Sequence, residues 1–264
     1  MWLRNYGDLS ATVAAVLLDK EARSINLDAN PFKGGLREPL IRVTSLMRGM
    51  EVTSADGHPI FSLADMDEKV GMMAHSFPTV FSFYLPEYKP SGSKIAEASL
   101  VCPESMIQDM PKTVGLLNGL YSMIKFGLSA CDGGFGWAPS WMGCNEGNYN
   151  RVYGYLGYSQ PFDGSLTVQE QASRVVSELA TILTSGRLSA ESRETIKAAY
   201  IEKLNEVDSN GVPIDDAAGM ALRLAEQLVV TTPEFHTTNV VSRTGASRPD
   251  PLLPQPTGVV SSSR

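Results

Sequence analysis

Apolar residues recur every three or four positions through much of the first half of the chain, which is the spacing of one face of a helix. This pattern predicts helices at residues 8–22, 36–49, 63–74 and 104–127. In the last and longest of these we expect Pro111 to produce a kink, because a proline inside a helix removes a backbone hydrogen bond.

Residues 75–103 break this periodicity and are the most unusual stretch of the sequence. Prolines interrupt the segment repeatedly, and its aromatic residues are Phe77, Phe81, Phe83, Tyr84 and Tyr88. Such a segment cannot form a long helix, and it is too apolar for a disordered linker. We expect an ordered, extended segment, called the strap below, whose aromatic side chains anchor helices on either side.

Residues 128–164 are rich in glycine and aromatic residues and are predicted to be a loop. The glycine run in this loop lacks the Lys-Ser/Thr pair and the strand–helix context of a phosphate-binding loop. Trp137 and Trp141 are candidate binding residues, since exposed aromatic rings stack on sugars or peptides. The alternative is a surface loop that folds over its own aromatic residues.

Three helices joined by short loops are predicted within residues 165–236. The segment Thr167–Glu170 has the sequence of a capping box. Ser189 and Asp215 are expected to cap the two helices that follow. Short connections place successive helices side by side.

These elements together predict an all-α protein, an irregular multi-helix array with long ordered loops and a C-terminal three-helix segment. We divide the chain into a helical portion with the strap at 1–127, a Gly/aromatic loop insertion at 128–164 and the three-helix segment at 165–236. Residues 237–264 are predicted to be a disordered tail, because they are rich in Pro, Ser and Arg and contain no aromatic residue.

Composition excludes some classes of function and leaves the compartment open. The chain has 264 residues, a net charge of −7 and a pI near 5.1, which argues against nucleic-acid binding, because that requires a basic surface. No apolar run approaches the roughly 18 residues of a transmembrane helix. The N-terminal stretch does not resemble a signal peptide. We therefore expect either a cytosolic protein or an extracytoplasmic one whose export signal lies upstream of Met1.

The cysteines are Cys102, Cys131 and Cys144. Cys131 and Cys144 flank the Gly- and Trp-rich loop and can form a disulfide in an oxidising compartment. The alternative is three unpaired, partly buried thiols. The sequence contains no Cys-x-x-Cys or His-x-x-x-His pair typical of zinc sites, so no metal or cofactor is predicted.

Candidate catalytic residues lie in and beside the strap. Glu87 and Glu104 flank its second half and are candidates for an acid–base pair. His75 is the polar residue to test first, because neighbouring aromatic rings can reduce its solvation. The alternatives are a solvated Glu87, a helix-end Glu104 and a structural histidine.

Further binding candidates are Arg37, Tyr84 and Tyr88. Arg37 stands next to Glu38 at the predicted start of a helix. A surface ion pair with Glu38 is the alternative to ligand binding.

Several segments resemble one protein family. They are LREPLIRVTSLMRGM, HSFPTVFSFYLPEYKPSG, AEASLVCPESMI, SELATILTSGRLSAESRETI and LRLAEQLVVTTPEFH. Their order resembles the C-terminal part of the domain of unknown function 1800 family, over nearly all of residues 7–236. The resemblance implies a helical protein, often exported, whose gene often neighbours that of a protein of the domain of unknown function 1501 family. It implies no catalytic residues.

The chain departs from the family pattern because the long N-terminal half is missing. An apolar surface is therefore expected to be exposed here and to be covered by that half or by a partner, such as a protein of the domain of unknown function 1501 family. The leading hypothesis is a helical module of an exported or surface-associated protein that acts by protein or glycan contact. The alternatives are a hydrolase-like enzyme on extracellular polymers, using carboxylates near the strap, and a truncated product without independent function.

Overall fold

The computed structural model places the chain in two units, residues 35–238 and residues 1–34 with 239–264. The residues that it describes are 7–19, 23, 34–57, 61–137, 144, 154–159 and 163–238. The smaller unit contains helix α1, Leu9–Leu18, at whose N-terminus the Asp8 carboxylate accepts a hydrogen bond from the amide of Ala11 at 3.1 Å. Most of the predicted tail lies outside the described residues.

The larger unit is built from helices. They are α2 (Pro39–Gly49), α3 (Met66–Val70), α4 (Lys94–Glu97), α5 (Met110–Phe126), α6 (Val168–Thr184), α7 (Ala190–Leu204), α8 (Ala217–Thr231) and α9 (Pro233–His236). Within the described part of the chain, the one sheet is a short antiparallel pair of β1 (Val52–Thr53) and β2 (Tyr155–Leu156). The predicted all-α class is confirmed.

The starts of α6 and α7 follow from their capping residues. The Thr167 amide donates to the Glu170 carboxylate at 2.8 Å, and the Glu170 amide donates back to the Thr167 hydroxyl at 3.3 Å. Ser189 accepts from the amide of Ser192 at 3.1 Å. The N-cap of α8 is Asp216 rather than the expected Asp215; it has a left-handed backbone and makes no side-chain cap, because its carboxylate binds Arg223 instead.

One hydrophobic cluster joins the helices of the larger unit other than α4. Side chains with no exposed surface in this cluster include Val43, Leu116, Leu179, Val229 and Phe235. Burying each such side chain contributes on the order of 2 kcal/mol. The apolar stripes predicted for α2, α5, α6 and α8 supply most of this core.

Helix α5 begins later than the sequence predicted, and the expected kink at Pro111 was wrong. Asp109 is the N-cap, and its carboxylate accepts from the amide of Lys112 at 2.8 Å. Pro111 therefore lies in the first turn, where its missing N–H group has no helical partner to lose. Farther along α5, Gly119 leaves room for the ring of buried Phe135, which a Cβ atom at this position would overlap.

The strap is ordered, but only part of it anchors the helices. Phe83 and Tyr84 are half-buried and pack against the core. Phe77 and Phe81 are 57% and 61% exposed, so the expectation that they anchor helices was wrong. The reason is a tight turn in which the Ser82 amide donates to the Thr79 carbonyl at 3.1 Å and leaves Phe81 at the tip.

Candidate functional site

The residues proposed for acid–base chemistry lie near the surface. His75 and Glu87 are exposed and Glu104 is half-buried. Among the described residues, no hydrogen bond or ion pair joins any two of them. The hydrolase hypothesis that depends on these residues remains a prediction from the sequence.

Arg37 and Tyr84 each make part-buried hydrogen bonds. Arg37 Nη1 donates to the Phe235 carbonyl at 2.9 Å, and its Nη2 donates to the hydroxyl of Ser45. The Tyr84 hydroxyl donates to the carboxylate of Glu38, and burial together with this bond raises the pKa of Tyr84. Arg37 and Glu38 therefore each bind a different partner.

The remaining predicted binding residues take no part in these hydrogen bonds. Tyr88 is half-buried, and its carbonyl accepts from the amide of Cys102 at 2.9 Å. Trp137 is 64% exposed. Trp141 lies outside the described residues.

A disulfide joins Cys131 and Cys144 in the structure. Cys131 is buried and Cys144 is exposed. The bond links the short turn after α5 to a later position in the Gly/aromatic loop. Cys102 is free and half-buried.

A set of exposed apolar side chains covers the strap and the beginning of α5. We call these residues the strap surface: Met73, Phe77, Val80, Phe81, Leu85, Leu100, Val101, Met106, Met110 and Val114. Two hydrogen bonds connect residues 85–88 with residues 102–106. The Leu85 amide donates to Met106 Sδ at 3.4 Å, and the Cys102 amide donates to the Tyr88 carbonyl. Where exposed apolar side chains form a large contiguous patch, the patch marks a contact site more often than an ordinary surface.

A cleft of about 460 Å³ lies elsewhere in the same unit, between the end of α5, strand β2 and helix α8. Its polar lining residues are Lys125, Tyr155, Tyr158, Ser159, Asp216, Arg223 and Glu226. This volume falls in the range of small-molecule sites. We call it the Glu226 cleft.

Among the residues that line the cleft, Glu226 has a strongly shifted pKa. Its side chain lines the cleft although the residue is only 2% exposed. Burial raises its pKa to about 8, and the positive charge of Arg223 only partly opposes this change. The carboxyl group is therefore mostly protonated at neutral pH, which is typical of groups at functional sites.

The Glu226 cleft was missed by the sequence analysis, although one signal was present. Glu226 stands between Ala225 and Val229, which both lie on the buried side of α8. A carboxylate within an apolar helix face must be paired, protonated or functional.

Neither a metal site nor a membrane span is found in the described part of the chain. No group of His, Cys, Asp and Glu there could hold a metal ion. None of the helices described is both long enough and apolar enough to cross a membrane.

Comparison with known families identifies the family to which the chain belongs. The family model described as "Protein of unknown function (DUF1800)" matches residues 1–237. The chain therefore belongs to this family, as its segments predicted. No curated protein and no solved structure matches the chain.

Proposed function

We propose that the protein is a helical module that binds another protein through the strap surface. The exposure of this surface is the observation that carries the proposal. Phe77 and Phe81 are more than half exposed, and Val80 is 95% exposed. Leaving such side chains in water forfeits about 25 cal/mol for each Å² of apolar area, which a partner recovers by covering them.

The composition of the strap surface indicates the chemistry of the partner. It contains aromatic, aliphatic and methionine side chains, and aromatic and methionine residues are enriched in protein interfaces. Methionine adapts its shape to an irregular apolar partner. The first candidate is a protein of the domain of unknown function 1501 family, in keeping with the gene neighbourhood that the resemblance implies.

The proposal includes an exported or surface-associated location. The disulfide between Cys131 and Cys144 supports it, because disulfides persist mainly in oxidising compartments. A count of free thiols in protein isolated without reductant tests this part. One free thiol, that of Cys102, is expected, whereas three would contradict it.

Binding to the purified neighbouring protein of the domain of unknown function 1501 family tests the contact. The double variant Phe77→Ser/Phe81→Ser should weaken binding by at least about tenfold, since buried aromatic residues carry much of an interface's binding energy. Val212→Ser is the matched control, because Val212 is 55% exposed but lies in the connection before α8. The variant Trp137→Ala tests whether the Gly/aromatic loop, rather than the strap surface, contributes to binding.

The outcomes distinguish the two surfaces. Weaker binding of the strap variant alone supports the proposal. Weaker binding of Trp137→Ala alone would assign the contact to the loop. Absence of binding, or equal binding by all variants, would refute a role for the strap surface toward this partner.

A further inference from the structure

We propose that the Glu226 cleft binds an uncharged saccharide unit. This site is separate from the strap surface in its residues and does not depend on the protein contact proposed above. Glu226 and Arg223 both line this cleft, and each has a polar group without a hydrogen-bond partner among the described residues.

Glu226 is the first of these groups. It lies on the same face of α8 as Asp216, Gly219, Leu222 and Arg223, all of which line the cleft. Within the described residues, no hydrogen bond to the Glu226 carboxyl group is present. A polar group without a hydrogen-bond partner in a poorly solvated place is unfavourable, so a ligand that hydrogen-bonds to it gains affinity.

Arg223 supplies the second group. Its Nη2 donates to the Asp216 carboxylate at 3.2 Å, while its Nε is buried and has no hydrogen-bond partner. Gly219 makes this arrangement possible, because a Cβ atom there would overlap the Asp216 carboxylate. The ion pair fixes the guanidinium and leaves one N–H donor unused.

The charges of the cleft favour an uncharged ligand. Asp216 neutralises Arg223, and the raised pKa of Glu226 keeps its carboxyl group mostly neutral near pH 7. Lys125 would repel a cationic ligand, and an anionic ligand would compete with Asp216 for the guanidinium of Arg223. A neutral ligand avoids both penalties.

The hydrogen-bonding groups favour a ligand with several hydroxyls. A protonated carboxyl group both donates and accepts, whereas Arg223 Nε can only donate. Sugar hydroxyls also donate and accept, so they can satisfy both groups. Tyr155 and Tyr158 also line the cleft, and a tyrosine ring offers apolar area to the C–H face of a sugar.

Calorimetric titration of the whole chain at pH 7 tests the proposal. The neutral probes are N-acetylglucosamine, glucose, cellobiose, maltose and chitobiose, and the charged probes are glucuronate and putrescine. We expect saturable binding of at least one neutral probe and weaker or no binding of the charged ones. No binding of any neutral probe up to 10 mM, or preferential binding of a charged probe, would overturn the inference.

Variants locate the binding in the cleft. Glu226→Gln retains a neutral group that donates and accepts, so it should bind the neutral probe within about threefold of the wild type. Glu226→Leu and Arg223→Met each remove one of the unpaired groups and should weaken binding about tenfold. Glu202→Gln, at an exposed position on α7, is the matched control and should have no effect.

Two further results keep the inference testable. If Glu226→Leu fails to fold, as judged by thermal unfolding, Arg223→Met alone decides the location. Unchanged affinity of a folded Arg223→Met variant would then place the sugar elsewhere. The variant Phe77→Ser/Phe81→Ser should retain sugar binding, so failure of this inference and failure of the proposed protein contact can be told apart.

Discussion

The guanidinium of Arg42 and the imidazole of His236 lie 3.3 Å apart, measured from Nη1 to Nδ1. Arginine can only donate, so Nδ1 accepts and Nε2 carries the ring proton, which leaves Nε2 to hydrogen-bond the backbone of Val230. Protonating Nδ1 would direct a second N–H group at Arg42. Burial, with the positive charges of Arg42 and Arg37, accordingly lowers the pKa of His236 to about 4.

This lowered pKa predicts a loss of stability in acid. Folding lowers the pKa of His236 from 6.5 to about 4, so the unfolded chain binds a proton at a pH where the folded chain does not. The neutral ring therefore stabilises the fold above pH 6.5, and this part of the free energy of unfolding is lost as the pH falls toward 4. His236→Gln should remove this part of the dependence, on the order of 2–3 kcal/mol, as measured by urea unfolding across the range.

The control for this experiment is His75→Gln, since His75 is exposed. Carboxylates titrate in the same range, so the informative quantity is the difference in slope between each variant and the wild type. Equal slopes for His236→Gln and the wild type would mean that the ring is not held neutral by its surroundings.

The raised pKa of Glu226 predicts that the protein also loses stability in base. Folding raises its pKa from 4.5 to about 8, so its contribution to stability is complete below pH 4.5 and is lost as the pH rises through 8. Glu226→Gln should nearly match the wild type near pH 5 and be more stable above pH 8, by on the order of 5 kcal/mol. Guanidinium unfolding at both pH values measures this. A constant difference across pH would contradict it, and Glu202→Gln is the control.

The helices that the sequence predicted best are those with both a repeating apolar face and a local cap. Thr167 and Glu170 form a capping box, and Ser189 caps the next helix, so the starts of α6 and α7 are set by neighbouring residues. The start of α5 was misplaced because Pro103 and Asp109 both carry helix-start signals. Only Asp109 begins the α-helix, and Pro103 begins a short 3₁₀ turn.

The candidate site could not be predicted in the same way, because burial depends on long-range packing. Phe81 and Phe83 have the same chemistry and nearly the same position, yet only Phe83 packs against the core. The cleft needs Tyr155, Asp216 and Glu226 to meet, and no local pattern encodes their proximity. Their placement follows from the pairing of β1 with β2 and from the packing of α5 on α8.

The disulfide predicts a measurable stabilisation. Cys131 and Cys144 are 13 residues apart, and closing a loop of this size removes chain entropy from the unfolded state equivalent to about 3 kcal/mol. Cys144→Ser should lower the free energy of unfolding by this amount while leaving buried Cys131 in place. Urea unfolding with and without reductant measures it. In the presence of reductant the variant and the wild type should agree, and a difference that persists would mean that Cys144 stabilises the fold in another way.

The close approach of α5 to Phe135 predicts a strong effect of the smallest possible substitution. In Gly119→Ala the new methyl group would overlap the ring of Phe135, which is only 1% exposed. Because the ring is packed in the core, it can move only by displacing its neighbours, so the free energy of unfolding should fall by about 1–3 kcal/mol. Gly164→Ala is the matched control, because no atom lies within 4 Å of its Cβ position, and it should change stability by no more than about 0.5 kcal/mol.

Adding Phe135→Leu to Gly119→Ala relieves the overlap, so the double variant should lose less stability than the sum of the two single losses. Strict additivity in urea unfolding would show that Gly119 and Phe135 do not contact each other.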